Sequence, residues 1–153
     1  MQKFLIAASI AVSCLLATSV GAQTSMSGSL ATPTDASLYQ ALGERPGLVR
    51  LTDDFLPRLM ADPRIGTFFN SGNQQRIKEQ LVEQFCMLSG GPCVYKGADM
   101  ESSHSNLDIR KSEFHALVEV LQYSMDAQAI PFGVQNQLLA KLAPMYRDVV
   151  TVK

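Results

Sequence analysis

Gln74-Gln75-Arg76-Ile77-Lys78-Glu79-Gln80-Leu81-Val82-Glu83-Gln84-Phe85-Cys86-Met87-Leu88-Ser89-Gly90-Gly91-Pro92 sets the reading of the whole chain. Ile77, Leu81, Phe85 and Leu88 recur at steps of four, four and three, the repeat of a helix face and not the alternation of a strand. Asn70-Ser71-Gly72-Asn73 before the stretch reads as a loop ending in a helix cap, and Gly90-Gly91-Pro92 stops the helix. No other part of the chain alternates with period two for long, so the domain is expected to be all-α.

Toward the N-terminus, Ser37 is expected to cap a short helix over Leu38 to Leu42, broken by Gly43 and Pro46-Gly47. A second helix should run from Pro46 to Met60, with Leu48, Leu51, Phe55 and Leu59 on one face and Pro57 kinking or shortening it. Ala61-Asp62-Pro63-Arg64 is a turn, because Pro63 steers Asp62 away from the α region. Toward the C-terminus, Cys93 to Ile109 is loop-rich, with one helical turn bearing Met100 and His104. Lys111-Ser112-Glu113 opens a long helix through Phe114, Leu117, Leu121 and Met125. After the break at Ile130-Pro131-Phe132-Gly133, a last helix from Val134 to Val150 should bury Leu138, Leu139, Leu142, Met145 and Val149, with a bend at Pro144.

The first 22 residues read as a secretory signal peptide: Lys3 is basic, Phe4 to Ala17 is apolar, and Val20-Gly21-Ala22 offers a small-residue cleavage site. The apolar run is shorter than the roughly 20 residues of a bilayer span, so no stable membrane anchor is expected. Residues 23–35, rich in small polar side chains, read as a flexible leader, and residues 36–153 as one domain. The expected location is therefore outside the cytoplasm, in a periplasm. Without Lys3 there are 12 basic against 14 acidic residues, a formal charge of −2, which argues against nucleic acid as a partner. Cys86 and Cys93 have six residues between them; they form either a disulfide across the Leu88–Pro92 turn or two separate buried thiols.

Only two histidines occur, His104 and His115. A lone histidine is ordinarily a surface or satisfied core residue, and a stripe of apolar residues at helical spacing is ordinarily core. A zinc site built from Cys86, Cys93, His104 and His115 would have ligand gaps of six, ten and ten residues, unlike the close pairs of structural zinc. Neither a Ser-His-Asp set nor a phosphate-binding glycine loop is present.

The order of landmarks resembles the truncated haemoglobins of the first group. It rests on Ser37-Leu38-Tyr39, Asp54-Phe55, Phe68-Phe69, Gly90-Gly91-Pro92, Tyr95-x-Gly97, Met100-x-x-x-His104, Phe114 and the Leu138–Asp148 segment. The resemblance covers Ser37 to Val150. It implies a shortened globin, a two-over-two helical sandwich around haem b, with His104 as the proximal iron ligand. Phe69 matches the aromatic that packs on the haem face. Met100 lies one turn before the ligand, Tyr95 lies in the linker along the haem edge, and Phe85 belongs to the pocket wall. His115 matches no ligand position. Arg76 and Lys96 are either partners of the haem propionates or solvated charges.

Across the pocket the chain departs from the family. Many first-group members carry a tyrosine in the second helix and a glutamine in the distal helix that hydrogen-bond bound O2. Here the matching positions are Leu56, Ile77 and Leu81, with Gln80 and Gln84 near the same face. Losing such donors predicts faster O2 release and easier oxidation of the iron. The implied function is reversible binding of O2, NO or CO, with a separate electron donor to keep the iron reduced. Two rivals stand beside it: a haem enzyme that detoxifies nitric oxide or peroxide, disfavoured for peroxide by the lack of a distal acid/base group, and a haem-free helical interaction module.

Overall fold

The computed structural model describes residues 35–152. The segment expected to be a signal peptide, 1–22, and all of the expected leader but Asp35 lie outside the described residues. Eight α-helices follow in order: α1 Asp35–Ala41, α2 Glu44–Ala61, α3 Thr67–Asn70, α4 Gln74–Leu88, α5 Met100–His104, α6 Lys111–Ala127, α7 Phe132–Leu142 and α8 Tyr146–Val149. No strand occurs among the described residues. None of the described helices is long and apolar enough to cross a membrane.

The four long helices carry the architecture. α2 packs on α4 and on α6, while α7 closes against α4 and α6, giving two helices laid over two. Their shared core holds Leu48, Leu51, Phe55 and Leu59 from α2, Phe85 from α4, Leu121 and Met125 from α6, and Leu138 from α7. Each of these residues falls on the helix face expected from its spacing. Burying a side chain of this size contributes roughly 1.5–3 kcal/mol, which makes the apolar stripes the main source of cohesion.

Several element ends differ from expectation. α1 begins at Asp35, three residues before the expected Leu38, so Ser37 lies inside the helix. α2 begins at Glu44, because Gly43 takes a left-handed conformation at φ 80° and reverses the chain at once. Pro46 then falls in the first turn, where its missing N–H costs no intrahelical bond. Pro57 does not shorten α2, which runs on to Ala61. The last helix is divided: a 3-10 turn over Ala143–Met145 separates α7 from α8, since Pro144 cannot donate a backbone bond. Of the five residues expected to be buried along it, only Leu138 is fully enclosed. Phe68 and Phe69, read as a lead-in, sit in a one-turn helix of their own, α3.

Cys86 and Cys93 form a disulfide with Cα atoms 5.8 Å apart. It joins the last turn of α4 to the loop that leads toward α5. Gly91 lies against this link, and a Cβ there would come within 2.6 Å of both Cys86 Sγ and the Tyr39 ring. Only glycine lets α1, the end of α4 and the disulfide approach so closely.

Candidate functional site

α5 is five residues long, too short to hold itself in water. Asp99 stabilises its start: the carboxylate accepts hydrogen bonds from Ser102 N at 2.7 Å and from the Ser102 hydroxyl. These bonds hold the Asp99 carboxyl below the usual carboxylate range. Its far end is held from elsewhere. α8 packs against it, and the chain end pairs with Ile109, whose carbonyl accepts from Thr151 N and Val152 N at 3.0 Å each. Ile109 N in turn donates to Thr151 Oγ1 at 2.9 Å. Phe114 and Tyr146 meet edge to face beside this clasp, ring centres 5.0 Å apart.

His104 is the last residue of α5 and is half-buried. Its Nδ1 lies 2.7 Å from the Met100 carbonyl oxygen. A carbonyl only accepts, so Nδ1 carries the proton of the neutral ring and the lone pair is on Nε2. An imidazole fixed in this way is prepared as a metal ligand, because the second nitrogen is oriented before the metal arrives. His115, by contrast, is exposed on α6.

The other apolar residues singled out from the sequence lie on α2, α3 and α4. Leu56 and Phe85 are buried, while Phe69, Ile77 and Leu81 are half-buried. Phe85 packs on Phe55 with ring centres 6.5 Å apart, which ties α4 to α2. Met100 is half-buried and faces α4, where the Gln84 amide nitrogen lies 3.3 Å from its sulfur. Tyr95 is half-buried in the loop before α5; its hydroxyl donates to the Ala98 carbonyl at 2.9 Å and its ring folds over Gly97. Burial, with the Asp99 charge adding to it, pushes the phenol pKa up. The tyrosine is therefore neutral and shapes the loop.

A cavity of about 530 Å³ opens between α4 and the 92–97 loop. Arg45, Glu79, Gln80 and Glu83 line it from the helices. Of the residues singled out from the sequence, Tyr95 and Lys96 line it, while His104, Leu56, Ile77 and Leu81 lie elsewhere. It is a groove of mixed charge, with Arg45 and Lys96 beside Glu79 and Glu83. Arg76 is exposed at the start of α4, its backbone N–H capped by Asn73 at 3.0 Å.

Two residues matter more than their sequence signal suggested. Asp99 was hidden in a loop-rich stretch, though Asp followed three residues later by Ser is a recognisable cap. Gln84 is 7% exposed and belongs inside the protein; its place seven residues after Ile77 and three after Leu81 on one helical face was the available clue.

A half-buried imidazole whose Nδ1 is held by a backbone carbonyl, in a helical domain with half-buried Leu, Ile and Phe side chains on α3 and α4, suits an iron porphyrin. It does not fit zinc. The two cysteines are spent on each other in the disulfide, and among the described residues no three His, Cys, Asp or Glu side chains gather to hold a metal.

Comparison with known proteins agrees. The family model of the bacterial-like globins matches residues 37–151. A group 1 truncated hemoglobin of Mycolicibacterium paratuberculosis is 29% identical over 116 residues, 76% of this chain and 85% of that protein. Another, from Chlamydomonas moewusii, is 31% identical over 140 residues, 88% of this chain and 80% of the relative. Among solved structures, the Fe(III) form of the Tetrahymena pyriformis truncated hemoglobin superposes with a TM-score of 0.71 at 24% identity, covering 74% of this chain and 97% of that one. The chain therefore belongs to the bacterial-like globins, within the group 1 truncated hemoglobins.

Proposed function

We propose that this haem protein binds O2, or another diatomic gas such as NO or CO, reversibly at an iron held by His104. The observation that carries the assignment is the 2.7 Å hydrogen bond between His104 Nδ1 and the Met100 carbonyl, which orients the ring and leaves Nε2 as the ligating atom. Bound haem supplies an iron with one position open to the gas. The chain supplies the proximal ligand, the Leu56, Phe69, Ile77 and Leu81 surroundings that keep water off the iron, and the Tyr95 loop along the edge. Such a site suits carriage or storage of the gas. An electron donor is then required to keep the iron ferrous.

Haem addition to purified protein should give a Soret band, and His104→Ala should abolish normal five-coordinate ferrous ligation. Absence of any Soret band would remove the haem reading; normal ligation in His104→Ala would remove the proximal assignment alone.

We also propose export to a periplasm. Support comes from the signal-peptide pattern over residues 1–22 and from the Cys86–Cys93 disulfide, a bond that persists in oxidising compartments. Mass spectrometry of the protein from a periplasmic extract should find a mature chain starting at Gln23. Recovery of full-length protein from the cytosol alone would contradict the proposal.

A further inference from the structure

The groove between α4 and the 92–97 loop has a reactive residue in its wall. Cys93 lines it, whereas its disulfide partner Cys86 is fully buried at 0% exposure. Of the two, only Cys93 borders the groove, so thiol–disulfide exchange has one point of entry. Arg45 Nη1 lies 3.6 Å from Cys93 Sγ, while its Nη2 pairs with Glu83 Oε1 at 2.5 Å. A guanidinium beside the attacked sulfur favours the approach of a thiolate, because it sets positive charge where the nucleophile's negative charge arrives. It equally favours Cys93 as a thiolate once the bond is open.

The rest of the groove states what kind of thiol it suits. Its volume of about 530 Å³ is that of a small-molecule site and not of a protein interface. Lys96 and Glu79 line it, both exposed, and neither belongs to an ion pair among the described residues. Glu79 accepts only the Gln75 amide, at 2.7 Å. The groove thus offers a cation to a carboxylate and an anion to an ammonium, around one disulfide sulfur. A thiol that carries both charges meets all three features together, whereas an uncharged thiol meets the sulfur alone.

We propose that Cys93 is a thiol-exchange site for a small zwitterionic thiol of the glutathione class, with Lys96 and Glu79 as its recognition charges. The incoming thiolate attacks Cys93 Sγ and forms a new sulfur–sulfur bond. The Cys86–Cys93 bond breaks, its electron pair passes to Cys86 Sγ, and that sulfur takes up one proton from water. The products are a mixed disulfide on Cys93 and a free Cys86 thiol, with no net oxidation. Attack by Cys86 on the mixed disulfide reverses the step and releases the small thiol. The forward step opens the covalent tie between α4 and the loop that leads to α5.

The test needs no haem signal, so it stands apart from the haem reading. Opening of the disulfide by glutathione and by uncharged 2-mercaptoethanol is timed in the wild type and in a Lys96→Gln, Glu79→Gln double variant. Both positions are exposed, so the fold is kept. The ratio of the two rates should fall about fivefold in the variant, the effect of two exposed ion pairs. Acid-quenched wild type, mapped by peptide mass spectrometry, should carry glutathione on Cys93. Cys86→Ser treated with oxidised glutathione should hold one glutathione there permanently, since no second thiol can displace it. A rate ratio that is the same in both proteins overturns the proposal, and so does an adduct on Cys86. Should Cys86→Ser fail to fold, the wild-type adduct map decides.

Discussion

Replacing Asp99 with alanine removes the cap of the helix that presents His104 and leaves every pocket side chain in place. In the native chain the Asp99 carboxylate satisfies Ser102 N at 2.7 Å and the Ser102 hydroxyl, two donors at the open end of a five-residue helix. A helix this short has little internal bonding to absorb the loss, so the effect concentrates on α5. Loss of an Asp cap typically shifts a local folding balance about fivefold. Each excursion in which α5 frays also displaces the Met100 carbonyl that orients His104, so haem escape should accelerate by a similar factor. The assay is transfer of haem to an excess of scavenger protein, followed in the Soret region, with far-ultraviolet circular dichroism as the control. Asp99→Ala should lose haem about fivefold faster with unchanged helicity. Asp99→Asn should behave nearly as wild type, because asparagine caps as well as aspartate. If Asn proved as damaging as Ala, the charge and not the cap would be responsible. Equal rates in all three proteins would refute the reasoning.

Three further outcomes are expected. Reducing the Cys86–Cys93 bond, or replacing both residues with serine, should cost roughly 2 kcal/mol for so short a loop and lower Tm by several degrees; thermal melts with and without reductant measure it, and identical melts would contradict it. The Arg58 guanidinium beside Asp54 holds that carboxyl below its usual range. Its stabilising contribution is complete above about pH 4 and is lost as pH falls through the lowered folded value, so Asp54→Asn should show a flatter decline of stability on acidification. Phe55, 1% exposed and packed on Phe85, should cost about 3–5 kcal/mol when cut to alanine, as read by urea unfolding.

Much of the scaffold was legible because helix-forming positions repeat locally. The Ile77, Leu81, Phe85 and Leu88 stripe and the Leu117, Leu121 and Met125 stripe needed only a period to be recognised. Boundaries were less legible where one residue has two possible effects. Pro57 was expected to shorten α2, yet the helix accepts it, while Pro144 does divide the last helix. His104 stood out as the candidate iron ligand once its neighbours were taken together. The interior position of Gln84 was harder to see. A glutamine next to Glu83 reads as solvent-facing until α5 and the 3-10 turn after α7 bring two methionine sulfurs to it. The disulfide posed the same difficulty, since six intervening residues say nothing about whether two side chains meet.

The clasp between Ile109 and Thr151 ties the support of α5 to a segment distant in sequence. Its bonds join residues 42 positions apart, so holding His104 in place requires the closure of a long loop. Contacts of that separation form late in folding, whereas the turns of α4 need only their own neighbours. The helix that carries the histidine is thus among the later parts of the molecule to be secured, and haem capture waits on that step.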